Sequence, residues 1–503
     1  MTPISRRAFL AASSAALAVT ALPRVLFADS PAIPLKATSR VLDIDGRAAT
    51  VYGLQGPSGQ GLWLNPGEHF RVALTNDLDE STIIHWHGQI PPNVQDGVPD
   101  LPMPMLKPGE TRGYDYAPNP GTYWMHSHVP LQEMHLLAAP LIVRSHEDLA
   151  ADRQDVAMFL HDFSFKSPEE VMMEIMAGHV QGGNDTHGEM HAGGMSGMDH
   201  SMMSDMDHSM ISNMRHGNMA MNDQAGMNGM AMDLNDYDWD AYLANDRTLS
   251  DPDIVRVERG GRIRLRIVNA SAATVFWIDT GEVPARLVAV DGHAVQPLTG
   301  RRFGVAMAQR LDLEIDLPNG EGAWPILALR EGARERTGLI LATSGAAITK
   351  VDSLGNDNAP PFDTDLAQEA RLVAQDPLPE RAVQRHQTLV LGGGMQPYRW
   401  TIDNAIWSHH VPVPARSGER VELSFRNASM MGHPMHLHGH TFQVVELNGR
   451  RIAGARRDTV HVPPMATVKI ALDAGEAARW MLHCHHMPHL ETGMMTEFEV
   501  TSA

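Results

Sequence analysis

Cysteine is almost absent: Cys484 is the only one in 503 residues. One cysteine excludes an internal disulfide, so the fold must hold by packing or by metal. Positive charge is scarce as well, with 40 Lys and Arg against 60 Asp and Glu and a net charge of −20. That balance argues against a nucleic-acid partner, which calls for a basic face, and suits a cationic substrate. Beyond the N-terminus no apolar run is long enough to span a membrane. Long amphipathic periodicity is missing too, so few helices are expected.

What is present starts with 43% hydrophobic residues, ample for packed cores. The length suggests about three domains. The 27 histidines and 32 methionines are unusual beside the single cysteine. At the N-terminus, Ser5-Arg6-Arg7-Ala8-Phe9-Leu10 precedes an Ala/Leu-rich stretch and small residues up to Ala28. This reads as a twin-arginine export signal over residues 1–28, so the mature chain is expected to pass the twin-arginine export machinery and work in the periplasm, soluble and monomeric.

One pattern occurs three times: Gly67 to Asn76, Gly260 to Asn269 and Gly418 to Asn427. Each opens on a glycine, alternates apolar and polar residues, and closes on asparagine. That describes a half-buried strand after a turn, and its recurrence predicts three related β-sandwich domains. Val156–His161, Val288–Val290 and Leu311–Leu317 read as further strands. The expected division is 29–148, 149–345 and 381–503, with an Ala-, Asp- and Pro-rich linker at 346–380. Within the second domain, 166–236 reads as a low-complexity insertion. Thirteen methionines fall between residues 190 and 232, and Met-Asp-His-Ser-Met occurs at 198–202 and again at 206–210.

The chemistry lies in histidines spaced two apart: His85 and His87, His126 and His128, His436 and His438, His483 and His485. On a strand such a pair projects from one face, so both imidazoles reach one metal cluster. The last pair brackets Cys484, which therefore faces the opposite side. His489 follows five residues after Cys484, and Met494 five after that. Two His, a Cys thiolate and a weak Met form the ligand set of a blue-copper electron-transfer site.

With these motifs the chain resembles a three-domain multicopper oxidase, and among those the bacterial copper-resistance enzymes called cuprous oxidases. The resemblance implies an all-β chain of three cupredoxin-like Greek-key sandwiches, four copper ions as cofactors, and reduction of dioxygen to water. It implies His433, Cys484 and His489 with axial Met494 for type 1 copper, and His85 and His436 for type 2 copper. One type 3 copper would take His87, His126 and His485, the other His128, His438 and His483. Cys484, His483 and His485 would form the electron route between the sites. Asp96, before Gly97, stands where the family keeps an aspartate beside the cluster, for proton transfer or ligand orientation; a turn aspartate is the plain alternative.

Two positions depart from the family. Leu490 stands where many bacterial relatives carry a proton-delivering glutamate, which leaves Glu491 to substitute or the relay to run elsewhere. Ser429-Met430-Met431 replaces the Asp-Met-Met of cuprous oxidases, so Met430 and Met431 are expected near a substrate ion without that acid. Thioether sulfur prefers Cu(I). Met198, His200, Met202, Met206, His208 and Met210 of the insertion are therefore expected to gather cuprous ions. The leading expectation is oxidation of Cu(I) to Cu(II) in copper tolerance, with phenolic donors as side substrates. The alternatives are a laccase-like phenol oxidase, which needs an open groove beside His489, and a copper-sequestering protein.

Overall fold

The three Gly-to-Asn segments are strands, Phe70–Asn76, Arg262–Asn269 and Arg420–Asn427, and each holds the same place in its sheet. Each lies parallel to an earlier strand: Ile33–Ile44, Gln154–Phe163 and Arg385–Met395, in turn. On its other side each pairs antiparallel with a later strand: Thr111–Tyr116, Arg310–Asp316 and Thr467–Asp473. This is a computed structural model, and it describes residues 31–178 and 234–503.

The closing asparagine has a physical reason. Asn76 Nδ2 donates to Glu80 O and Leu106 O, Asn269 Nδ2 to Thr274 O and Val305 O, and Asn427 Nδ2 to Met431 O and Val462 O. Each Oδ1 accepts the amide two residues on, from Leu78, Ser271 and Ser429. A short planar amide offers donors and an acceptor at once, and so satisfies buried backbone groups where the chain leaves the sheet.

Around these strands stand three two-sheet sandwiches: a five-stranded sheet with a four-stranded one, a six with a five, and a seven with a five. Four short α-helices occur among the described residues, and no helix there is long and apolar enough to cross a membrane. Sheet register brings the histidine pairs together. His85 lies across from His126 on adjacent strands of the first sandwich. In the third, His436 lies across from His483 and Met435 from Cys484.

The stretch read as an insertion at 166–236 is folded at both described ends. Its start is the helix Pro168–Met176, closed by a capping box between Ser167 and Glu170, with Val171, Met172 and Ile175 buried. At its far end Asp236 is buried against Tyr398, His486 and His489. Met198, His200, Met202, Met206, His208 and Met210 lie outside the described residues. Residues 346–380 pack rather than dangle: Phe362, Leu366 and Leu372 are buried, and Glu369 pairs with Arg457.

Candidate metal centre

His433, Cys484 and His489 converge in the third sandwich. Cys484 Sγ lies 3.7 Å from His433 Nδ1 and 3.6 Å from His489 Nδ1, and the two nitrogens are 3.1 Å apart. All three side chains are fully buried, as is Met494. Backbone bonds tie Met494 to both ends of this group, from Met494 N to His489 O and from Cys484 N to Met494 O. Gly493 makes that close turn possible: its φ is +105°, and a Cβ there would lie 2.8 Å from Ile406 Cβ.

Each imidazole of this group is held from behind. His433 Nε2 lies 2.8 Å from Ser429 Oγ, which itself donates to Asn427 Oδ1. His489 Nε2 lies 3.4 Å from Asp236 Oδ2. Tyr398 donates a short hydrogen bond to the same Asp236 oxygen, and His486 Nε2 lies 3.5 Å from it. The His489 ring is sandwiched, with His486 stacked at 3.8 Å and Trp400 at 4.1 Å between centroids. No face of His489 reaches the surface.

The eight paired histidines form one buried nest between the first and third sandwiches. Their inner nitrogens group as one pair and two triads. His85 Nε2 and His436 Nε2 are 3.4 Å apart. His126 Nε2 lies 3.4 Å from both His87 Nδ1 and His485 Nε2. His438 Nε2 lies 3.3 Å from His128 Nε2 and 3.1 Å from His483 Nε2.

The outer nitrogens explain the tautomers. His85 Nδ1 lies 2.7 Å from Asp96 O, His436 Nδ1 2.8 Å from Asp458 O, and His483 Nδ1 3.0 Å from Cys484 O. His438 Nδ1 lies 2.9 Å from Asp96 Oδ2, and His87 Nε2 lies 3.1 Å from Asp458 Oδ1. Oxygens on the outside keep the N–H there and leave lone pairs on the inside. Burial, then neighbouring imidazoles, holds His87, His128, His436, His438 and His485 well below the ordinary histidine value; burial also brings His483 down to about 3. Neutral rings with converging lone pairs about 3 Å apart repel one another unless a cation lies between them. Burial likewise pushes the Cys484 thiol well up, so its thiolate also requires a cation. The donor set therefore fits metal ions in both places, and imidazole with thiolate suits copper.

The geometry separates the residues singled out in the sequence. Asp96 is buried against the nest through His438 and His85. Met431 is buried on the loop before His433, whereas Met430 is 63% exposed. Glu491 is exposed at the end of the helix Met487–Glu491. His440, in the same cluster as His436, has a backbone role: its Nδ1 bonds His438 O and its Nε2 accepts from Gly475 N.

Several partners were not foreseen: Asp458, Arg310, Glu133, Asp236, Tyr398 and Ser429. Ser429 and Asp236 lay inside segments already singled out, Asp236 as the last residue of 166–236. The others approach from distant parts of the chain, where no local spacing marks them.

Comparison with known proteins identifies the family. Sequence profiles described as multicopper oxidase match residues 39–148, 200–349 and 380–503. The chain is 29% identical over 450 residues to multicopper oxidase MmcO of Mycobacterium tuberculosis, covering 86% of this chain and 79% of that protein. It is 26% identical over 565 residues to copper resistance protein A of Escherichia coli, covering 89% and 88%. The fold matches the crystal structure of a multicopper oxidase from Pseudomonas thermotolerans with a TM-score of 0.66 at 22% identity, covering 93% of this chain and 98% of that one. The chain belongs to the multicopper oxidase family and is a copper-bearing oxidoreductase.

Proposed function

We propose that this oxidase takes Cu(I) as its electron donor and oxidises it to Cu(II) in the periplasm, after export on the twin-arginine signal of residues 1–28. Four cuprous ions each give up one electron, and dioxygen takes four electrons and four protons to become two waters. The observation that carries this reading is the closed surroundings of His489. A phenol oxidase needs a groove in which an aromatic ring reaches that imidazole edge. Here the edge faces Asp236, with His486, Trp400 and Tyr398 around it. An ion small enough to be held by carboxylate or thioether suits such a place better than a phenol. The likeness to a protein named copper resistance protein A supports the same reading.

In this reading His433, Cys484 and His489 would hold type 1 copper with the Met494 thioether beside them, and His85 and His436 would hold type 2 copper. His87, His126 and His485 would hold one type 3 copper, and His128, His438 and His483 the other. Copper held by these residues would supply one-electron redox chemistry, allowing electrons accepted singly to reach oxygen together. The chain's own part is positional. Cys484 faces one site while its covalent neighbours His483 and His485 face the other. Asp96 keeps the His438 ring oriented, and its Oδ1 has no hydrogen-bond partner among the described residues, 3.4 Å from His85 Nδ1.

The test is oxygen uptake by the copper-loaded enzyme with Cu(I) and with a phenol, repeated after deletion of residues 187–232. A clear preference for Cu(I), weakened selectively by the deletion, is expected. Preference for the phenol, unchanged by the deletion, would reassign the enzyme as laccase-like.

A further inference from the structure

Glu133 is a buried carboxylate with an unusual set of neighbours. Two buried histidines face it: Oε2 lies 2.7 Å from His126 Nδ1, and Oε1 lies 3.8 Å from His485 Nδ1. Among the described residues neither Oε1 nor His485 Nδ1 has a hydrogen bond, although both are buried. A buried charge without partners is costly, so a carboxylate kept here is held for what it faces.

The local fold fixes it firmly. Glu133 belongs to the helix Pro130–Met134, which packs against the helix Met487–Glu491. The neighbouring Gln132 accepts from Thr82 Oγ1 and Ser127 Oγ and donates to Ser81 O, which fastens the helix to the first sandwich. Leu136, whose amide bonds Glu133 O, is buried with φ +64°, a left-handed conformation that leucine adopts only where its surroundings enforce it.

His126 comes from a strand of the first sandwich and His485 follows a strand of the third, yet their inner nitrogens meet 3.4 Å apart. We infer that Glu133 is a positioning residue that holds the outer edges of His126 and His485 together, and so fixes two ligands of one copper from opposite sides of the domain junction. A carboxylate behind a metal-bound imidazole sets its tautomer and ring orientation. Here one carboxylate faces two rings from different domains. This inference rests on the proposed assignment of His126 and His485 to type 3 copper.

The experiment reconstitutes the apo enzyme with copper and compares wild type with Glu133→Gln, Glu133→Leu and, as a control for the ligand assignment, His126→Gln. Three readouts are taken: copper affinity by chelator competition, the near-ultraviolet absorption of the type 3 pair, and the visible blue band of type 1. In Glu133→Leu, affinity on the trinuclear side should fall roughly 10–100-fold, with the near-ultraviolet band reduced and the blue band intact. Glu133→Gln retains an acceptor for His126 but turns an amide toward His485, and should shift the near-ultraviolet band with a smaller loss of affinity. If Glu133→Leu does not fold, seen as loss of the blue band, Glu133→Gln decides alone. Wild-type affinity and an unaltered near-ultraviolet band in a folded Glu133 variant overturn the inference. His126→Gln separates the two readings: if it too keeps wild-type copper binding, the ligand assignment itself fails.

Discussion

Arg310, in the second sandwich, grips the Asp458 carboxylate of the third with both guanidinium Nη atoms, and Asp458 in turn faces His87 of the first at 3.1 Å. The backbone carbonyl of Asp458 also accepts from His436 Nδ1. One buried ion pair thus joins all three sandwiches behind two imidazoles of the nest. The second sandwich offers the nest none of its eight imidazoles and acts on it through this arginine.

Replacing Arg310 by leucine leaves Asp458 buried with its main charge partner gone. Breaking a buried pair on one side costs about 3–5 kcal/mol. The variant should melt well below wild type in calorimetry and bind less copper on the trinuclear side. An unchanged melting temperature with full copper content would show that the pair is dispensable.

Asp236→Ala should uncover His489. Phenol turnover is then expected to rise relative to Cu(I), visible as a change in the ratio of the two kcat/KM values. Tyr398→Phe, which removes the hydrogen bond to Asp236 but keeps the ring, should change that ratio less. A ratio unmoved by Asp236→Ala would mean that this carboxylate does not close the site.

Cys484→Ser removes the only thiolate. Its blue band should vanish and oxygen uptake should drop to background, while the near-ultraviolet band of the histidine nest persists. Loss of both bands would show that the two sites do not fill independently.

Glu331 gives a pH dependence away from the metal sites. Burial raises its carboxyl from 4.5 to about 8, against the opposing hydrogen bond from Phe362 N. A folded value above the unfolded one means the protonated form is favoured by folding. Its contribution is complete below pH 4.5 and is lost as pH rises through 8. At about 1.4 kcal/mol per unit, the loss is on the order of a few kcal/mol. Melting temperatures measured from pH 5 to 9 should decline less steeply in Glu331→Gln than in wild type.

Periodicity made much of this molecule legible. Alternation and the closing asparagines predicted three equivalent strands, and spacing by two put each histidine pair on one face, because both are local consequences of the β-strand. Charges arriving from elsewhere left no such trace. Asp458, Glu133 and Asp236 act across domain boundaries, and nothing in their neighbours says which surface they will meet. Ser429, noted for the acid it lacks, proved to bond His433 directly. Glu491 follows His489 by two residues on a short helix, about 200° around its axis, and so turns outward as His489 turns inward. The helix Pro168–Met176 was readable from its capping box, but its methionine-rich sequel drew it into the insertion.

Because His483, Cys484 and His485 share one chain segment, the distance between the blue site and the nest is set by covalent bonds and resists any loosening between domains. The nest enjoys no such protection: half of its imidazoles come from the first sandwich and half from the third. Gentle heating, dilute denaturant or storage should therefore part the two halves before it disturbs the blue site. A tired preparation will keep its colour after it has stopped breathing oxygen, and colour alone is a poor measure of how much enzyme is alive.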